Sequence, residues 1–469
     1  MAEIKISTFD YRNSNYDDWE LPYNYHSLYI LENGKEAYIG ETKEIPRRSG
    51  EHKGARDVCH GYTFPRIHIL TGPTFEETPA KHLETLLIRL LEADGKFHVL
   101  NDKKTWEHYP RKNEFELCFD QVWLALERLG LVRHKDFQDV LNLSQYKFSP
   151  RVPLTQAQCE TLTSIIHTID SEETFPYKKL PLHRPILISG DPGTGKTVVA
   201  ASLFHYLRTE EAYRHLKVGL VYASAATRGE MQEVFKTVPG LRKKDVISPI
   251  AAAKGDYDVI ICDEAHRLRW GKNAGRYYNG RLKKMNRALG LDDACDELDW
   301  LLRCSDYLVL FYDPKQSVSP SDITEERFMA RLHIDEQGYR PIQLAEQMRI
   351  RAGSEYVPYI YDVLFRRARR KRQFHAYDFK LFRSFDDMCR QIGVVIGPEL
   401  YYDPGSGLIK VDRANFHDKN LKTNTSEEDI VRFVLNTYGV LMTRGILGTY
   451  VYVCDEQLRI YLQQYIPLA

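Results

Sequence analysis

Short apolar runs alternate with helical segments over the C-terminal two thirds of the chain. From residue 184 onward, six runs rich in β-branched and aromatic residues are separated by stretches with helical periodicity. The runs are PILIS (185–189), VGLVYAS (218–224), DVIIC (258–262), YLVLFYD (307–313), IGVVIG (392–397) and TYVYVCD (449–455). Because strands buried on both faces are continuously apolar, this pattern predicts a parallel sheet covered on both sides by helices.

The N-terminal third has a different pattern. LYILENGKEAYIG (28–40) places two strand-like runs around Asn33-Gly34, which predicts a β-hairpin. ETPAKHLETLLIRLLEADG (77–95) predicts a helix, with Thr78 as N-cap and Pro79 at the first helical position. A second helical spacing follows in EFELCFDQVWLALERLG (114–130), and the two prolines of FSPRVPLTQ (148–156) indicate a linker.

These patterns divide the chain into four parts. We expect a small mixed α/β domain over residues 1–110, a helical connector over 111–153, a first α/β lobe over 154–340 and a second over 341–469.

Composition narrows the class of protein. Acidic and basic residues balance at 65 each, so any nucleic-acid surface must come from local clustering. The polar N-terminus and the lack of a run of about 18 apolar residues predict neither a signal peptide nor a membrane span. Eight scattered cysteines without a CxxC pair favour reduced thiols in the cytoplasm.

The strongest motif follows the run PILIS and opens a helical segment. Its residues are Gly190, Asp191, Pro192, Gly193, Thr194, Gly195, Lys196 and Thr197. A P-loop requires this context, because glycines let backbone N–H groups surround phosphate at a helix N-terminus. We expect Lys196 to reach the β- and γ-phosphates of ATP and the Thr197 hydroxyl to hold Mg²⁺.

DVIICDEAH (258–266) is an apolar run that ends in two acids. Asp263 at a strand end can hold Mg²⁺ through water, and Glu264 can activate the attacking water. A DEAH tetrapeptide alone can also begin a helix, but its position after a P-loop favours catalysis.

From residue 154 the chain resembles a superfamily 1 helicase, specifically the Schlafen-type helicase domain. The matching segments are LTQAQ (154–158), VGLVYASAATRGEM (218–231), LVLFYDPKQSV (308–318), LAEQMRIRAG (344–353) and VLMTRGILGTYVYVCD (440–455). The resemblance implies two RecA-like lobes, with Gln158 on adenine and Gln316 sensing the γ-phosphate. Arg349 and Arg444 would be arginine fingers from the second lobe, because a planar guanidinium neutralises charge on phosphate.

The resemblance has one departure. Little sequence separates Arg349 from Arg444, and no motif V is found between them. CRQIGVVIGPEL (389–400) looks like the tail of the segment that follows motif V, joined directly to earlier sequence. We therefore expect a shortened second lobe and question strand translocation more than ATP binding.

An ordered set of polar residues lies in the N-terminal domain. Arg48 and His52 are four residues apart, which places them on one face of a helix. Glu84 lies among leucines, where a carboxylate is costly unless it is paired, hydrogen-bonded or bound to a metal. With Tyr29, Tyr38 and Asn101, this set resembles a GIY-YIG nuclease over residues 25–105, although Ser27-Leu28-Tyr29 stands where that family has Gly-Ile-Tyr.

The resemblance implies a role for each residue. Tyr29 and Tyr38 would be the paired tyrosines, Arg48 and His52 would face the phosphate, Glu84 would hold Mg²⁺ and Asn101 would support the site. A tyrosine or His52 would help to deprotonate water, and Arg48 would stabilise the developing charge.

A basic run, FRRARRKRQ (365–373), follows the segment that contains Arg349. Such a run is either a solvated surface or a contact for nucleic acid, and the sequence leaves both open.

The whole pattern predicts an ATP-dependent nuclease with a helicase-like ATPase, acting on nucleic acid, with DNA favoured over RNA. The alternatives are a nucleotide-switched binding protein that does not cut, and an RNA-directed enzyme. By analogy, the domain pairing suggests a prokaryotic role against foreign DNA.

Overall fold

A computed structural model shows how the patterns fold. It describes residues 4–11, 26–45, 47–48, 52, 59, 61–72, 77–101, 119–150, 152, 154–172, 185–238, 240–271, 276–332, 341–375, 377–389, 393–417 and 425–469. The chain divides into two compact units, Met1–Thr155 and Gln156–Ala469.

The N-terminal unit is built on a five-stranded sheet in the order β1-β4-β2-β3-β5. The strands are β1 (Lys5–Asp10), β2 (Ser27–Glu32), β3 (Glu36–Thr42), β4 (Arg66–Thr71) and β5 (His98–Val99). The predicted hairpin around Asn33-Gly34 is confirmed, since β2 and β3 pair antiparallel across it. Strand β2 lies at the centre of the sheet, and all six of its residues are buried.

Alternate residues of β2 point to two different apolar clusters. Leu28 and Ile30 pack with helix α1 (Glu77–Asp94). Tyr29 and Leu31 belong to a smaller cluster with Tyr38 on the other face. This alternation follows from the two-residue period of a strand, and it places both tyrosines on the same face.

Helices after the sheet complete the N-terminal unit. They are α2 (Phe119–Arg128), α3 (Phe137–Asn142) and α4 (Ser144–Lys147). Phe119 and Trp123 pack into the same cluster as α1, so these helices share the core of the first unit. The first part of the predicted 114–130 helix lies outside the described residues.

The predicted start of α1 was wrong in detail. The helix begins at Glu77, so Thr78 lies within its first turn and is not the N-cap. Helix boundaries that rest on a local capping pattern commonly shift by one or two residues.

The second unit begins with α5 (Gln156–Glu172) and contains a six-stranded sheet. Its strand order is β11-β6-β10-β9-β7-β8, and every pair in it is parallel. The strands are β6 (Ile186–Gly190), β7 (Val218–Tyr222), β8 (Val246–Ile247), β9 (Tyr257–Asp263), β10 (Ser305–Tyr312) and β11 (Ile342–Leu344). The predicted parallel sheet is therefore confirmed, and its last strand comes from residues 342–344.

Helices connect the parallel strands of this sheet. They are α6 (Lys196–Thr209), α7 (Ala225–Thr237), α8 (Pro249–Ala252), α9 (Arg276–Leu289), α10 (Glu297–Arg303) and α11 (Glu325–Leu332). Strands β6, β7, β9 and β10 all end at one edge of the sheet, which is where parallel α/β sheets hold their ligands.

A second, smaller sheet follows. Strands β12 (Asp378–Phe382), β16 (Gly448–Val453) and β13 (Val394–Ile396) are parallel in that order, and β14 (Leu400–Asp403) pairs with β15 (Leu408–Val411) as a hairpin. The helices are α12 (Tyr356–Leu364), α13 (Phe385–Met388), α14 (Glu427–Met442) and α15 (Glu456–Gln463). All six apolar runs predicted from residue 184 onward are strands.

Every helix in the described part of the chain is too short or too polar to span a bilayer. The cysteines in that part carry free thiols.

Candidate functional site

Strand pairing assembles the tyrosine site of the N-terminal unit. Tyr29 lies directly across from Gly40, and Leu31 lies across from Tyr38. The Tyr29 ring crosses the α-carbon of Gly40: a Cβ at that position would come within 2.8 Å of Tyr29 Cε1, and closer still to Cζ and Oη. A glycine is therefore required here for the ring to occupy this position.

His52 and Arg48 complete a compact cluster with the two tyrosines. The His52 N–H donates to the Arg48 carbonyl at 3.2 Å, so the two residues share one helical turn as predicted. His52 Nε2 lies 2.6 Å from Tyr29 Oη, and Arg48 Nη2 donates to Tyr38 Oη at 3.3 Å. The Tyr38 and His52 rings meet edge to face, with centroids 4.6 Å apart.

Glu84 lies close enough to the cluster to affect Tyr29 electrostatically, and Asn101 contacts the strand that carries Tyr38. Glu84 is buried on α1. Burial, above all, raises the pKa of Tyr29 far above its ordinary value; the neighbouring Tyr38 and Glu84 raise it further, although Arg48 opposes them. Asn101 bonds both backbone groups of Ile39, accepting from its N–H at 3.2 Å and donating to its carbonyl at 2.6 Å. Asn101 thus holds β3 in place.

The carboxylates of this site are few. No group of three or more His, Cys, Asp or Glu side chains arranged for a metal occurs among the described residues. A metal at Glu84 would therefore take at most two such ligands from the described residues, with the remaining oxygens from water and substrate, as Mg²⁺ tolerates.

The glycine-rich loop of the second unit lies between β6 and α6. Gly193 and Gly195 have φ values of 90° and 84°, which side chains with a Cβ rarely adopt. Lys196 is 8% exposed, and its Nζ donates to the Gly190 carbonyl at 2.6 Å and the Asp191 carbonyl at 3.1 Å. It also lies 3.3 Å from Asp313 Oδ2. The lysine is folded back onto its own loop.

Asp263 ends β9 beside this loop and is 1% exposed. Burial, and secondarily the charge of Glu264, raises its pKa to about 6, while a Thr197 hydrogen bond lowers it. Within the described part of the chain, its Oδ2 has no hydrogen-bond partner. A buried oxygen of this kind fits a cation shared with Thr197.

Glu264 has a left-handed backbone, with φ 51° and ψ 43°. Non-glycine residues adopt this conformation at a cost, and such strain concentrates at functional sites. The Thr227 hydroxyl donates to Glu264 Oε2 at 3.3 Å, so α7 helps to aim the carboxylate.

The end of β10 contributes two residues that the sequence interpretation had not singled out. Asp313 contacts Lys196 and accepts from Gln316 Nε2 at 2.6 Å. Lys315 forms an ion pair with Asp191 at 2.6 Å. The sequence does indicate them, because Asp-Pro-Lys directly follows a run typical of a buried parallel strand, and such strands end at the edge of the sheet where the P-loop lies.

Gln158 and Gln347 both contact the P-loop. Gln158 is 4% exposed and its Nε2 donates to the Thr194 carbonyl at 3.2 Å. Its adenine contact stays a prediction. Gln347 Nε2 donates to the Pro192 carbonyl at 2.9 Å, and its Oε1 accepts from the Arg349 N–H at 3.0 Å.

The two predicted finger arginines are brought together. A Cβ on Gly193 would lie 3.1 Å from Arg349 Cβ, so Arg349 stands beside the P-loop. Partial desolvation lowers the pKa of the Arg349 guanidinium, and the nearby charge of Arg444 lowers it further. Both side chains are nevertheless exposed to solvent. Two arginines close enough for the charge of one to lower the pKa of the other favour an anion near both.

The family of the second unit follows from its sequence. Residues 183–393 and 391–455, more than half of the chain, match the family described as Schlafen group 3, DNA/RNA helicase domain. The chain belongs to this family. The P-loop of this Schlafen group 3 chain is thus part of a helicase-like ATPase domain.

Two curated relatives match short stretches of the chain. One stretch of 125 residues is 30% identical to the cytoplasmic dynein heavy chain of Drosophila melanogaster and covers 25% of this chain and 2% of that protein. Another of 73 residues is 36% identical to the uncharacterized protein YPL245W of Saccharomyces cerevisiae and covers 14% of this chain and 16% of that protein. The Schlafen group 3 chain spans less than a fifth of either relative.

Similar solved structures include helicases. Bacteroides sp Pif1 in complex with ADP-AlF4 has a TM-score of 0.25 at 10% identity, over 50% of this chain and 55% of that chain. A structure on DNA unwinding at forked dsDNA by two Pif1 helicases has a TM-score of 0.23 at 12% identity, over 54% and 63%. C. elegans PCH-2 has a TM-score of 0.21 at 13% identity, over 64% and 62%.

Proposed function

We propose that this Schlafen group 3 chain is an ATP-dependent nuclease. A GIY-YIG-type site in the N-terminal unit would hydrolyse phosphodiester bonds of nucleic acid, and the ATPase would gate that cutting. The observation that carries the proposal is the cluster of Tyr29, Tyr38, Arg48 and His52, whose hydrogen bonds and ring contacts bring four chemically suited side chains together.

The cluster suits hydrolysis of a phosphodiester. In the tautomer protonated on Nδ1, His52 accepts the phenolic proton of Tyr29 across their 2.6 Å contact. The Tyr29 oxygen then takes a proton from water as the water oxygen bonds to phosphorus and the scissile P–O bond breaks. The leaving oxygen is protonated from solvent. Arg48 faces the charge that develops on the phosphate oxygens.

Mg²⁺ would be held by Glu84 in this site and by Thr197 and Asp263 in the ATPase. When bound, it supplies charge neutralisation at phosphate and lowers the pKa of nearby oxygen acids.

ATP hydrolysis uses the second unit. Lys196 leaves Asp313 and the loop carbonyls to reach the β- and γ-phosphates. Glu264 takes a proton from the water that attacks the γ-phosphorus as the bond to the β-γ bridging oxygen breaks. Arg349 and Arg444 neutralise charge on the leaving phosphate. The polymer is DNA rather than RNA in this proposal, and the enzyme acts in the cytoplasm.

The second lobe is shortened in this proposal. The two segments that match the family meet at residues 391–393, the same stretch where the sequence suggests that a segment is missing. An ATPase without motif V has fewer contacts through which to move a strand, so gating suits it better than translocation.

A second candidate is a nucleotide-switched binding protein that does not cut. The raised pKa of Tyr29 favours it, because a phenol that stays protonated can donate to phosphate without activating water.

Cleavage of labelled oligonucleotides separates the two candidates. With Mg²⁺ and ATP, the parent should cut, Glu84→Gln should not cut but should hydrolyse ATP, and Lys196→Ala should lose ATP hydrolysis. Panels of single-stranded and duplex DNA and RNA identify the polymer. If Glu84→Gln cuts at the parent rate, the nuclease assignment is wrong; if the parent binds every polymer and cuts none, the binding protein is the better description.

A further inference from the structure

The loop after α12 carries an unusual density of positive charge. Residues 365–372, here called the arginine loop, read FRRARRKR, with six cations among its last seven positions. Arg366, Arg367, Arg369, Arg370 and Lys371 are exposed. Within the described residues, the ion pairs of the loop are limited to Arg372 with Glu355, at 2.7 Å.

This loop has a defined shape. The Asp362 carbonyl accepts from the N–H groups of Arg367 at 2.6 Å and Ala368 at 3.0 Å. The buried Tyr359 hydroxyl accepts from the Arg372 N–H at 3.1 Å and lies 3.1 Å from the Arg370 carbonyl. A freely solvated basic run would not need such anchors, and fixing the backbone reduces the entropy lost when an anion binds.

The anchored arginines surround a cavity. A space of about 390 Å³ is lined by Tyr359, Asp362, Arg367, Ala368, Arg369, Arg370 and Arg372. Arg372 is paired with Glu355, and the guanidinium groups of Arg367, Arg369 and Arg370 outnumber the Asp362 carboxylate, which leaves an excess of positive charge around the cavity. Like charges held this close repel one another, and an anion with several oxygens relieves that repulsion while accepting their hydrogen bonds.

An apolar groove adjoins the loop. Its volume is about 510 Å³, and most of its lining is apolar, including Phe365, Ile409 and Ile430. Charged side chains of both signs complete the lining: Lys410, Arg413, Glu427, Glu428 and Arg432. The Arg367 guanidinium lies over the Phe365 ring, 5.5 Å from its centroid. Phe365 therefore stands between the cationic cavity and a groove with aromatic and aliphatic walls.

We propose that the arginine loop and this groove bind single-stranded nucleic acid, with phosphates on Arg367, Arg369 and Arg370 and a base against Phe365. Cations beside an apolar groove match a strand whose bases are free, whereas the bases of a duplex are stacked inside it. The inference rests on the proposed function, since it names the form of polymer that the ATPase domain holds.

Salt-dependent binding tests the phosphate contacts. The full chain with Glu84→Gln, which prevents cutting, is titrated with fluorescent single-stranded DNA and RNA at several salt concentrations. Adding Arg367→Gln, Arg369→Gln and Arg370→Gln should weaken binding about tenfold and flatten the slope of log affinity against log salt by about 2. The matched control replaces the exposed Lys283, Lys284 and Arg287 of α9 with glutamine, which removes the same charge.

Phe365→Leu tests the base contact. Leucine keeps the apolar packing but loses the aromatic face, so single-strand affinity should fall about tenfold with an unchanged salt slope. ATP hydrolysis without polymer should equal that of the parent in all these variants, which shows that they fold.

The outcomes are distinct. An unchanged slope in the arginine variant, an equal loss in the α9 control, or a loss confined to duplex overturns the inference and leaves the proposed function standing. If the parent hydrolyses ATP but binds no nucleic acid, the proposed function itself fails.

Discussion

Replacing Gly40 with alanine should disable the proposed nuclease site through a single methyl group. The new Cβ would lie 2.8 Å from Tyr29 Cε1 and closer to Cζ and Oη, well inside ordinary contact of 3.4–4 Å. The ring must therefore move by about 1 Å or more, and Oη then leaves the 2.6 Å contact with His52. Displacing one catalytic group by about 1 Å costs roughly 100-fold in rate.

The stability cost of the same change can be worked out. Overpacking costs about 1–3 kcal/mol, and loss of the buried Tyr29–His52 hydrogen bond adds about 1 kcal/mol, for a total of about 2–4 kcal/mol. For a unit of this size, each kcal/mol lowers the melting temperature by about 2–4 °C, so the N-terminal unit should melt roughly 4–16 °C earlier. Calorimetry measures the melting, and cleavage below the transition measures the site.

Gly34→Ala is the matched control. Gly34 has a φ of 86° in the hairpin turn, and no atom lies within 4 Å of the point that an alanine Cβ would occupy. Alanine there costs about 1–2 kcal/mol in backbone strain and leaves Tyr29 in place. Parent-like cleavage by folded Gly40→Ala protein would refute the role of the Tyr29–His52 pair. Equal loss of cleavage in Gly34→Ala would attribute the effect to stability alone.

Two further predictions concern the ATPase. Gln347→Ala should lower kcat for ATP roughly tenfold with little change in KM, because Gln347 bridges the P-loop and the Arg349 backbone. Gln347→Glu keeps the acceptor for the Arg349 N–H and loses the donor to the Pro192 carbonyl. A parent-like kcat in Gln347→Ala would show that this bridge has no part in ATP hydrolysis. A Glu84→Gln protein should hydrolyse ATP but show little strand displacement on a tailed duplex, because motif V is not found in the second lobe. Processive strand displacement would contradict the gating role.

Local patterns predicted much of the fold. The apolar runs became strands, Asn33-Gly34 became the hairpin turn, and the P-loop and the acids after β9 lie together at the edge of one sheet. Each of these depends on neighbours in sequence or on the shared edge of parallel strands, which a pattern can express.

Other features depend on contacts between distant parts of the chain. Asn101 bonds Ile39 across 62 positions, and the Asp94 carboxylate accepts from the N–H groups of Arg133 and His134 at 2.8–3.0 Å. Nothing in the local sequence indicates that Asp94 is a buried acceptor or that the α2 region packs on α1. Such partners are chosen by tertiary packing, which a single sequence does not reveal.

The segment after β10 links the P-loop to the second sheet's helices. Asp313 lies 3.3 Å from Lys196 Nζ. Two residues on, the Lys315 carbonyl accepts from the Tyr361 hydroxyl of α12 at 3.1 Å. The Ser317 carbonyl accepts from Asn436 Nδ2 of α14 at 2.9 Å.

In the proposed function, this arrangement would let nucleotide act as a gate. ATP must draw Lys196 away from Asp313, because one ammonium group cannot hold both the carboxylate and the phosphates at full strength. Asp313 then keeps the Gln316 side chain and the Lys315 N–H as partners, and the segment that carries these residues also holds α12 and α14 through its carbonyls. A shift of this segment therefore changes contacts to two helices of the second lobe. The arginine loop follows α12 directly, so the same shift reaches the surface proposed to hold the strand.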